Sequence, residues 1–403
     1  MFEIIIYILL ILSLIYGFYF LIMASGVFRK KKCEIDNNKK NHFAILIAVR
    51  NEENVIKNLI NSLKKQNYPS NKYDVYVIVN NCTDNTLEVA KNAGAKIIEC
   101  KQKVKSKGEV LKYTFNKLKS NDEIDAYVIF DADNVVHREF LNKMNDSINY
   151  GYEVVQGFRD TKNICDNWLS TSYAILYYLQ SLFINKSRFN FGMSSFLNGT
   201  GFMVKKETID RYGYDPKTIT EDIEYTAICA INGIKIAFNE NAITYDEQVT
   251  DFKSSLKQRK RWSFGAIQCL KNYTGSLIKE GIKNKRFECF DVIIFYFGII
   301  FHVLFTIVSL IGIFYNVFYL NDFNSMDVVI YFIMFLINYF IGVVFRMIVI
   351  KKCNKSIKEN IWGILLFDLF VLSWFPINFI CLFIKDCNWD HIKHDRNVDT
   401  LNI

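Results

Sequence analysis

Residues 126–134 read Ala-Tyr-Val-Ile-Phe-Asp-Ala-Asp-Asn, an apolar run that ends in two carboxylates one residue apart. Val128 to Phe130 has the composition of a buried strand, and Asp131 and Asp133 follow its carboxyl end. Side chains at i and i+2 point the same way on an extended chain. Two like charges held that close repel unless a cation lies between them, and hard oxygen ligands of this kind suit Mg²⁺ or Mn²⁺ shared with phosphate oxygens.

Working outward, short β-rich runs give way to helical periods. Phe43 to Val49, Val75 to Val79, Lys96 to Ile98 and Ala126 to Phe130 read as strands, and Asn54 to Lys65 and Thr86 to Ala93 as helices. That alternation predicts an α/β fold with a parallel sheet. Ligands of such sheets bind beyond the carboxyl ends of the strands. Arg50-Asn51-Glu52-Glu53 follows the first strand and Asn80-Asn81-Cys82-Thr83-Asp84 the second, so three strand ends are expected to converge on one polar cleft. Asn, Thr and Asp are also favoured at helix starts for purely local reasons, which leaves the first two turns open to a capping role.

The 403 residues are 51% hydrophobic and 22% charged, which excludes a disordered chain. The net charge of +8 forms no concentrated basic stripe, so no nucleic-acid partner is expected and a bilayer surface is the likelier anionic neighbour on chemical grounds. Ten cysteines without a CxxC pair exclude a zinc ribbon or a disulfide scaffold.

Ile4 to Phe28 carries no charge and is long enough to cross a hydrocarbon core. Its cations follow it, as Arg29 to Lys32, which makes that flank cytoplasmic by the positive-inside rule. Three further apolar stretches, 289–320, Val328 to Phe345 and Ile361 to Ile384, contain only Asp291, Arg346 at the edge of the second, and Asp368 as charges. The link at 321–327 holds Asp322 and Asp327, and that at 351–360 holds Lys351, Lys352, Lys355 and Lys358, so the latter is expected inside. Lys385, Lys393 and Arg396 also favour an inside C-terminus, which four full crossings would forbid, so one stretch is expected to be re-entrant or interfacial. Arg346 is expected to snorkel from the end of its span, and Asp368 to lie near an interface or to face a polymer or lipid path. His391 and His394 read as part of a solvated tail. The expected division is a transmembrane helix at 1–28, a cytoplasmic domain at 29–288, a C-terminal membrane region of about three helices at 289–384 and a polar tail at 385–403.

Three more segments carry a resemblance: Asn198-Gly199-Thr200-Gly201, Thr220-Glu221-Asp222 opening a helix, and Gln258-Arg259-Lys260-Arg261-Trp262 before Ser263-Phe264-Gly265. Together with the DxD at 131–133, the chain resembles the membrane-bound family 2 glycosyltransferases, which include hyaluronan, cellulose, chitin and poly-N-acetylglucosamine synthases and, more distantly, ceramide glucosyltransferase. The match covers residues 43 to 265. The resemblance implies a nucleotide-sugar-binding fold of the A type and a cradle from Arg50, Asn51, Glu52, Asn80, Asp84 and Lys107. It further implies metal and diphosphate binding by Asp131 and Asp133, with Asp222 beside Glu221 as general base. Gln258, Arg261 and Trp262 would line the acceptor end and the departing diphosphate, with Gly199, Thr200 and Gly201 beside the acceptor. The family usually places Asp where Asn80 stands; an amide oxygen still accepts a hydrogen bond from uracil but lacks the charge.

The residue types fit that chemistry. A leaving diphosphate gains negative charge that a divalent ion and Arg261 stabilise, while a carboxylate such as Asp222 takes the acceptor's proton. Attack opposite to departure inverts the anomeric centre. Lys257, Arg259, Lys260 and Arg261 are expected to press an interfacial helix near 254–270 against anionic lipid.

The leading expectation is therefore a processive, metal-dependent hexosyltransferase in the cell membrane, extending a polysaccharide from a UDP-sugar on the cytoplasmic face. Transfer of one sugar to a lipid acceptor is the alternative, and a non-catalytic scaffold, or dependence on an accessory membrane subunit, the reading from another class.

Overall fold

The computed structural model describes residues 2–29, 39–318, 325–387 and 396. The basic flank Lys30 to Lys32, Asp322 of the link, and Lys393, His391 and His394 of the tail lie outside the described residues. Eight strands form one sheet: β1 Phe43–Val49, β2 Tyr73–Val79, β3 Lys96–Glu99, β4 Ala126–Phe130, β5 Val135–Val136, β6 Val154–Thr161, β7 Phe202–Lys205 and β8 Ile236–Asp246. Their order is β3-β2-β1-β4-β7-β6-β8-β5. β1 pairs in parallel with β2 and with β4, β2 with β3, and β6 with β8. Only β7 and the short β5 run against their neighbours.

β1 and β4 are buried on both faces, as a parallel strand between helical layers must be. Phe43, Ile45, Ile47, Val128 and Phe130 enter one apolar cluster, and Ala44, Leu46, Tyr127 and Ile129 enter the other. The helices α2 Ile56–Lys64, α3 Thr86–Asn92 and α4 Lys107–Leu118 connect the parallel strands, so β1 has a neighbour on each side and the loops after β1 and β4 diverge. That divergence opens the crevice in which α/β sheets bind ligands.

Beyond the first four strands come α5 Phe140–Asn149, α6 Trp168–Leu179, a π-helical turn Gln180–Lys186, α7 Ser187–Asn190, α8 Lys206–Tyr212 and α9 Glu221–Asn232. α10 Phe252–Lys283 then leads into the apolar elements α11 Phe287–Phe318, α12 Ser325–Lys352, α13 Ile361–Leu372 and α14 Trp374–Cys381, while α1 Phe2–Ala24 stands at the other end. Among the described residues, four segments are long and apolar enough to cross a membrane: Tyr7–Phe28, Phe287–Gly312, Val328–Lys352 and Ile361–Cys381.

Asp291, Arg346 and Asp368, inside these segments, are paired. Arg188 of α7 is wholly buried and donates to Asp291 of α11 through Nε at 2.8 Å and Nη2 at 2.9 Å, and the Tyr19 hydroxyl of α1 donates to the same carboxylate. Arg346 does not snorkel: it is 4% exposed and donates to Asp368 through Nη1 at 2.7 Å and Nη2 at 3.0 Å, joining α12 to α13. A carboxylate within reach on the neighbouring helix makes pairing cheaper than stretching to an interface.

The expectation that four successive basic residues of α10 meet lipid also changes. Arg259 is buried, with Nη1 donating to the Phe370 carbonyl at 3.0 Å and to Ser373 Oγ at 2.8 Å and its guanidinium 4.5 Å from the Phe370 ring centroid. A helix places residues two apart on different faces, so Arg259 points into α13–α14 while Arg261 lines the main cavity.

Removing one member of a buried ion pair leaves the other charge uncompensated, at about 3–5 kcal/mol, whereas replacing both by apolar residues is close to neutral. Arg188→Met is therefore expected to lower the unfolding midpoint in detergent strongly, and the double variant Arg188→Met/Asp291→Leu to recover most of the loss. Equal midpoints for the single and double variants would show that the pair does not act as a unit.

Candidate active site

The turn after β4 is closed by the Asn134 backbone N–H donating to the Asp131 carbonyl at 3.2 Å, so the DxD is a tight turn and not an extended segment. It still directs both carboxylates into one cavity of about 500 Å³. Asp133 Oδ2 accepts the Glu247 backbone N–H at 3.0 Å. Behind the turn, Thr200 is fully buried and its Oγ1 accepts the Asp131 backbone N–H at 3.0 Å.

A lysine supplies the cation between the acids. Lys107 Nζ, at the start of α4, lies 2.5 Å from Asp131 Oδ1, 2.7 Å from the Gly199 carbonyl oxygen and 3.8 Å from Glu221 Oε1. Burial works against its charge, but the carboxylates of Asp131 and Glu221 outweigh that and hold its pKa above the ordinary lysine value. Burial likewise pushes Asp131 up, and Lys107, with Arg159 and Arg261 farther off, overcomes it and draws the carboxyl below its usual range.

Glu221 and Asp222 open α9, where carboxylates meet the positive end of a helix dipole. Burial raises Glu221 to about 7 against the pull of Lys107, with Asp222 adding to the rise. Asp222 is raised by burial too, opposed by the Ile223 backbone N–H and Lys107. Both carboxyls are thus better proton acceptors than solvated ones. Gly199 sits at φ +82°, and a Cβ there would come within 3.3 Å of Asp222 Oδ2, so glycine serves both the backbone and the space beside the acid. Gly265 of α10 abuts the same turn: a Cβ would fall 2.1 Å from Thr220 Oγ1.

Arg50, Glu52, Lys107, Asp131, Asp133, Gly199, Glu221, Asp222, Gln258, Arg261 and Trp262 all line the cavity. The structure does not bring Asn51, Asn80, Asp84, Thr200 or Gly201 to its wall. Asn80 is buried, its oxygen accepting from Arg50 Nη2 at 2.5 Å while its amide donates to the Cys100 carbonyl at 3.0 Å. Asp84 accepts from the backbone N–H groups of Thr86 at 3.1 Å and Glu53 at 3.2 Å, and Asn51 Oδ1 from that of Thr83 at 2.8 Å. These residues zip the turn after β1 to the turn after β2. Gly201, at φ +62°, packs against Thr244.

Arg159, Tyr177, Gln180, Glu247, Gln248 and Trp374 also line the cavity without having been singled out in the sequence. Arg159 Nε donates to Asp246 Oδ2 at 2.6 Å, and its guanidinium stands 3.8 Å from the Tyr177 ring centroid. Asp246 ends β8, so the rule that inspects strand ends would have found it had that strand been read. Trp262 meets Tyr177 at 6.2 Å and Trp374 at 6.4 Å between ring centroids, giving the cavity an aromatic wall. Arg261 makes no hydrogen bond or ion pair among the described residues.

Four cationic side chains and six carboxyl groups line the cavity, and the raised pKa of Glu221, about 7, brings the cavity's charge closer to balance than that count alone. Among the described residues no group of three or more His, Cys, Asp or Glu is gathered to hold a metal ion. The pair Asp131 and Asp133 fits a magnesium-like ion nonetheless, because such ions take one or two carboxylates and complete their shell with water and substrate phosphates.

Comparison with known proteins agrees with this geometry. The probable glycosyltransferase YdaM of Bacillus subtilis is 23% identical over 375 residues, 87% of this chain and 83% of its own. The β-monoglucosyldiacylglycerol synthase of Synechocystis is 24% identical over 235 residues; the match takes in 57% of this chain and 48% of the relative, so the chain spans about half the length of that protein. Among solved structures, the mannosyltransferase PcManGT of Pyrobaculum calidifontis, in complex with GDP-Man and Mn²⁺, superposes with a TM-score of 0.66 at 13% identity, over 96% of this chain and all of the other. The shared fold is the A-type glycosyltransferase fold. The family described as Glycosyltransferase like family 2 matches residues 40–265, more than half of the chain, and the protein belongs to it.

Proposed function

We propose that this glycosyltransferase moves a single sugar from a UDP-sugar, with inversion, onto the hydroxyl of a lipid acceptor held in the membrane. The observation that carries this reading is the composition of the cavity wall, which includes Phe295 of α11 and Trp374 of α14 together with Ile184 and Ile223. An acceptor whose tail stays in lipid meets apolar side chains of the membrane segments and presents its headgroup to Asp222. Among the described residues, Leu304 and Leu310 of α11 and Val328, Val329, Ile330 and Phe332 to Leu336 of α12 are exposed, as side chains that face lipid would be, which favours a lipid acceptor over polymer extrusion. The Synechocystis relative is named for a glucosyldiacylglycerol product, which agrees. The lysines of the 351–360 link favour a cytoplasmic catalytic side.

Each residue then has a chemical task. Asp131 and Asp133 would hold Mg²⁺ or Mn²⁺, which supplies Lewis-acid stabilisation of the diphosphate. Lys107 positions Asp131 and the Gly199 carbonyl, and Arg261, which makes no hydrogen bond or ion pair among the described residues, faces the charge of the leaving group. Asp222 takes the acceptor proton as the hydroxyl oxygen bonds to the anomeric carbon and the carbon–oxygen bond to the diphosphate breaks with its electron pair. Trp262 and Tyr177 offer aromatic faces to the C–H side of a pyranose. Arg50 and Glu52 flank the nucleotide end, and Gln258 the acceptor end.

A general base contributes about 10²–10⁴-fold, so Asp222→Asn is expected to lower turnover by at least 10²-fold while nucleotide affinity in Mn²⁺ stays within about twofold. Asp131→Asn should weaken that affinity as well, and EDTA should weaken it for the wild type. Wild-type turnover in Asp222→Asn would remove the base assignment.

Purified membranes given Mn²⁺ and radiolabelled UDP- and GDP-sugars are expected to yield a product that extracts into organic solvent and carries one sugar. GDP-sugars belong in the panel because Arg50 already occupies the Asn80 oxygen. A long polymer that resists extraction would establish the processive polysaccharide synthase, and no product from any donor would favour a required partner subunit or a scaffold.

A further inference from the structure

The segment Ile361 to Cys381 would reach about 31 Å as one straight helix, enough to span a bilayer. It is not straight. Pro376 has no N–H to give to the Leu372 carbonyl, and its ring disfavours a regular turn there, so α13 ends at Leu372 and α14 begins at Trp374. Arg259 lies beside the break and donates to the Phe370 carbonyl and to Ser373 Oγ. A cation at the end of α13 also meets the negative end of the helix dipole.

The two flanks of the segment are fastened to the same place. Before it, Lys355 Nζ lies 3.0 Å from Asp160 Oδ2, and Asn360 Oδ1 accepts the Thr171 hydroxyl at 3.1 Å. After it, Arg396 Nε donates to Asp166 Oδ2 at 2.8 Å, and its backbone N–H to Glu247 Oε2 at 3.1 Å. Asp160, Asp166 and Thr171 belong to one stretch of the catalytic part that runs from the end of β6 into α6. Cys381, the last residue of the segment, donates through Sγ to the Lys260 carbonyl at 3.5 Å, and Asn378 accepts from Ser263, so the start and the end of the segment both rest on the catalytic part and its α10, as a segment that had passed to the far side of a membrane would not.

Its two faces differ accordingly. The inner face packs on the catalytic part: a Cβ on Gly363 would fall 2.2 Å from Thr171 Cβ, Trp374 Nε1 donates to Ser263 Oγ at 3.0 Å, and Ser263 donates to Asn378 Oδ1 at 2.6 Å. The outer face exposes Trp362, Leu369 and Leu372 of α13 and Phe379, then Phe383 just beyond α14, at 40–70%. Exposed Lys352, Lys358 and Lys385 stand at its rim.

We propose that α13–α14 is a re-entrant pair seated in the leaflet next to the catalytic part, with the acyl layer of that leaflet as the occupant of its outer face, and that the chain crosses the bilayer three times, through α1, α11 and α12. Continuity with α12 through the Arg346–Asp368 pair and the lysine rim, which suits anionic headgroups, identify lipid as the occupant. The proposal goes beyond the choice of acceptor and holds for a lipid or a polymer product. It also accounts for Trp374 at the cavity wall, because a segment lying against the catalytic part keeps the start of α14 beside Ser263 and Trp262.

Three crossings set the two chain ends on opposite sides. The full-length protein in its own membranes, carrying a protease-cleavable epitope before Met1 or after Ile403, is compared in right-side-out and inverted vesicles, with cleavage of the catalytic part as the reference. The C-terminal epitope is expected to be lost in the vesicles that expose the catalytic part, and the N-terminal epitope to be lost only in the opposite ones. A C-terminal epitope that follows the N-terminal one would mean that α13–α14 crosses, and an N-terminal epitope that follows the catalytic part would mean that α1 does not; either overturns the proposal. No activity is measured, so failure of the acceptor assignment would leave this result untouched.

Discussion

One ammonium group organises the centre of this protein. Lys107 Nζ touches the DxD carboxylate Asp131, the carbonyl of Gly199 and the side chain of Glu221, which belong to three separate loops. Unpaired, the largely buried charges of Lys107 and Glu221 would each cost several kcal/mol. Together they form a compensated cluster whose members hold one another in place, and the raised acids of α9 and the lowered acid after β4 are two sides of that arrangement. The cavity forms where a parallel sheet must open; the lysine decides how its charges are distributed.

A second constraint couples this centre to the apolar helices. α10 carries side chains of opposite duty within one turn: Arg259 enters the bend of α13–α14, while Arg261 and Trp262 line the cavity. Gly265 lets the same helix approach Thr220, next to the acids of α9. A displacement of the membrane-side elements is transmitted to catalytic side chains through one rigid rod, without an intervening loop.

The first four strands and the helices α2 and α3 were legible because β1 and β4 are apolar throughout and end abruptly in polar turns, so period and punctuation agreed. The acids of the cavity were legible for the same reason, lying just past strand or loop ends. Asn80 and Asp84 show where such reading stops: the residue types that bind ligands are those that cap helices, and only their hydrogen bonds to Arg50, Cys100, Thr86 and Glu53 distinguish the two uses. Arg159 went unnoticed because its partner Asp246 stands 87 residues away on another strand. The pairing of Arg346 with Asp368 was hidden likewise, since hydropathy treats each span alone and a pair is a property of two.

The Arg188–Asp291 pair has a consequence for how the molecule comes into being. The two residues are 103 positions apart, and a ribosome adding about 5–20 residues per second takes roughly 5–20 s to cover that distance. During that interval the guanidinium has been made and its counter-charge has not. The nascent catalytic half must therefore keep Arg188 hydrated, or shielded by the insertion machinery, until α11 emerges. Closure of the interior is thus timed by membrane insertion, and a chain stopped before Asp291 would be left with a cation that its own sequence cannot neutralise at that position.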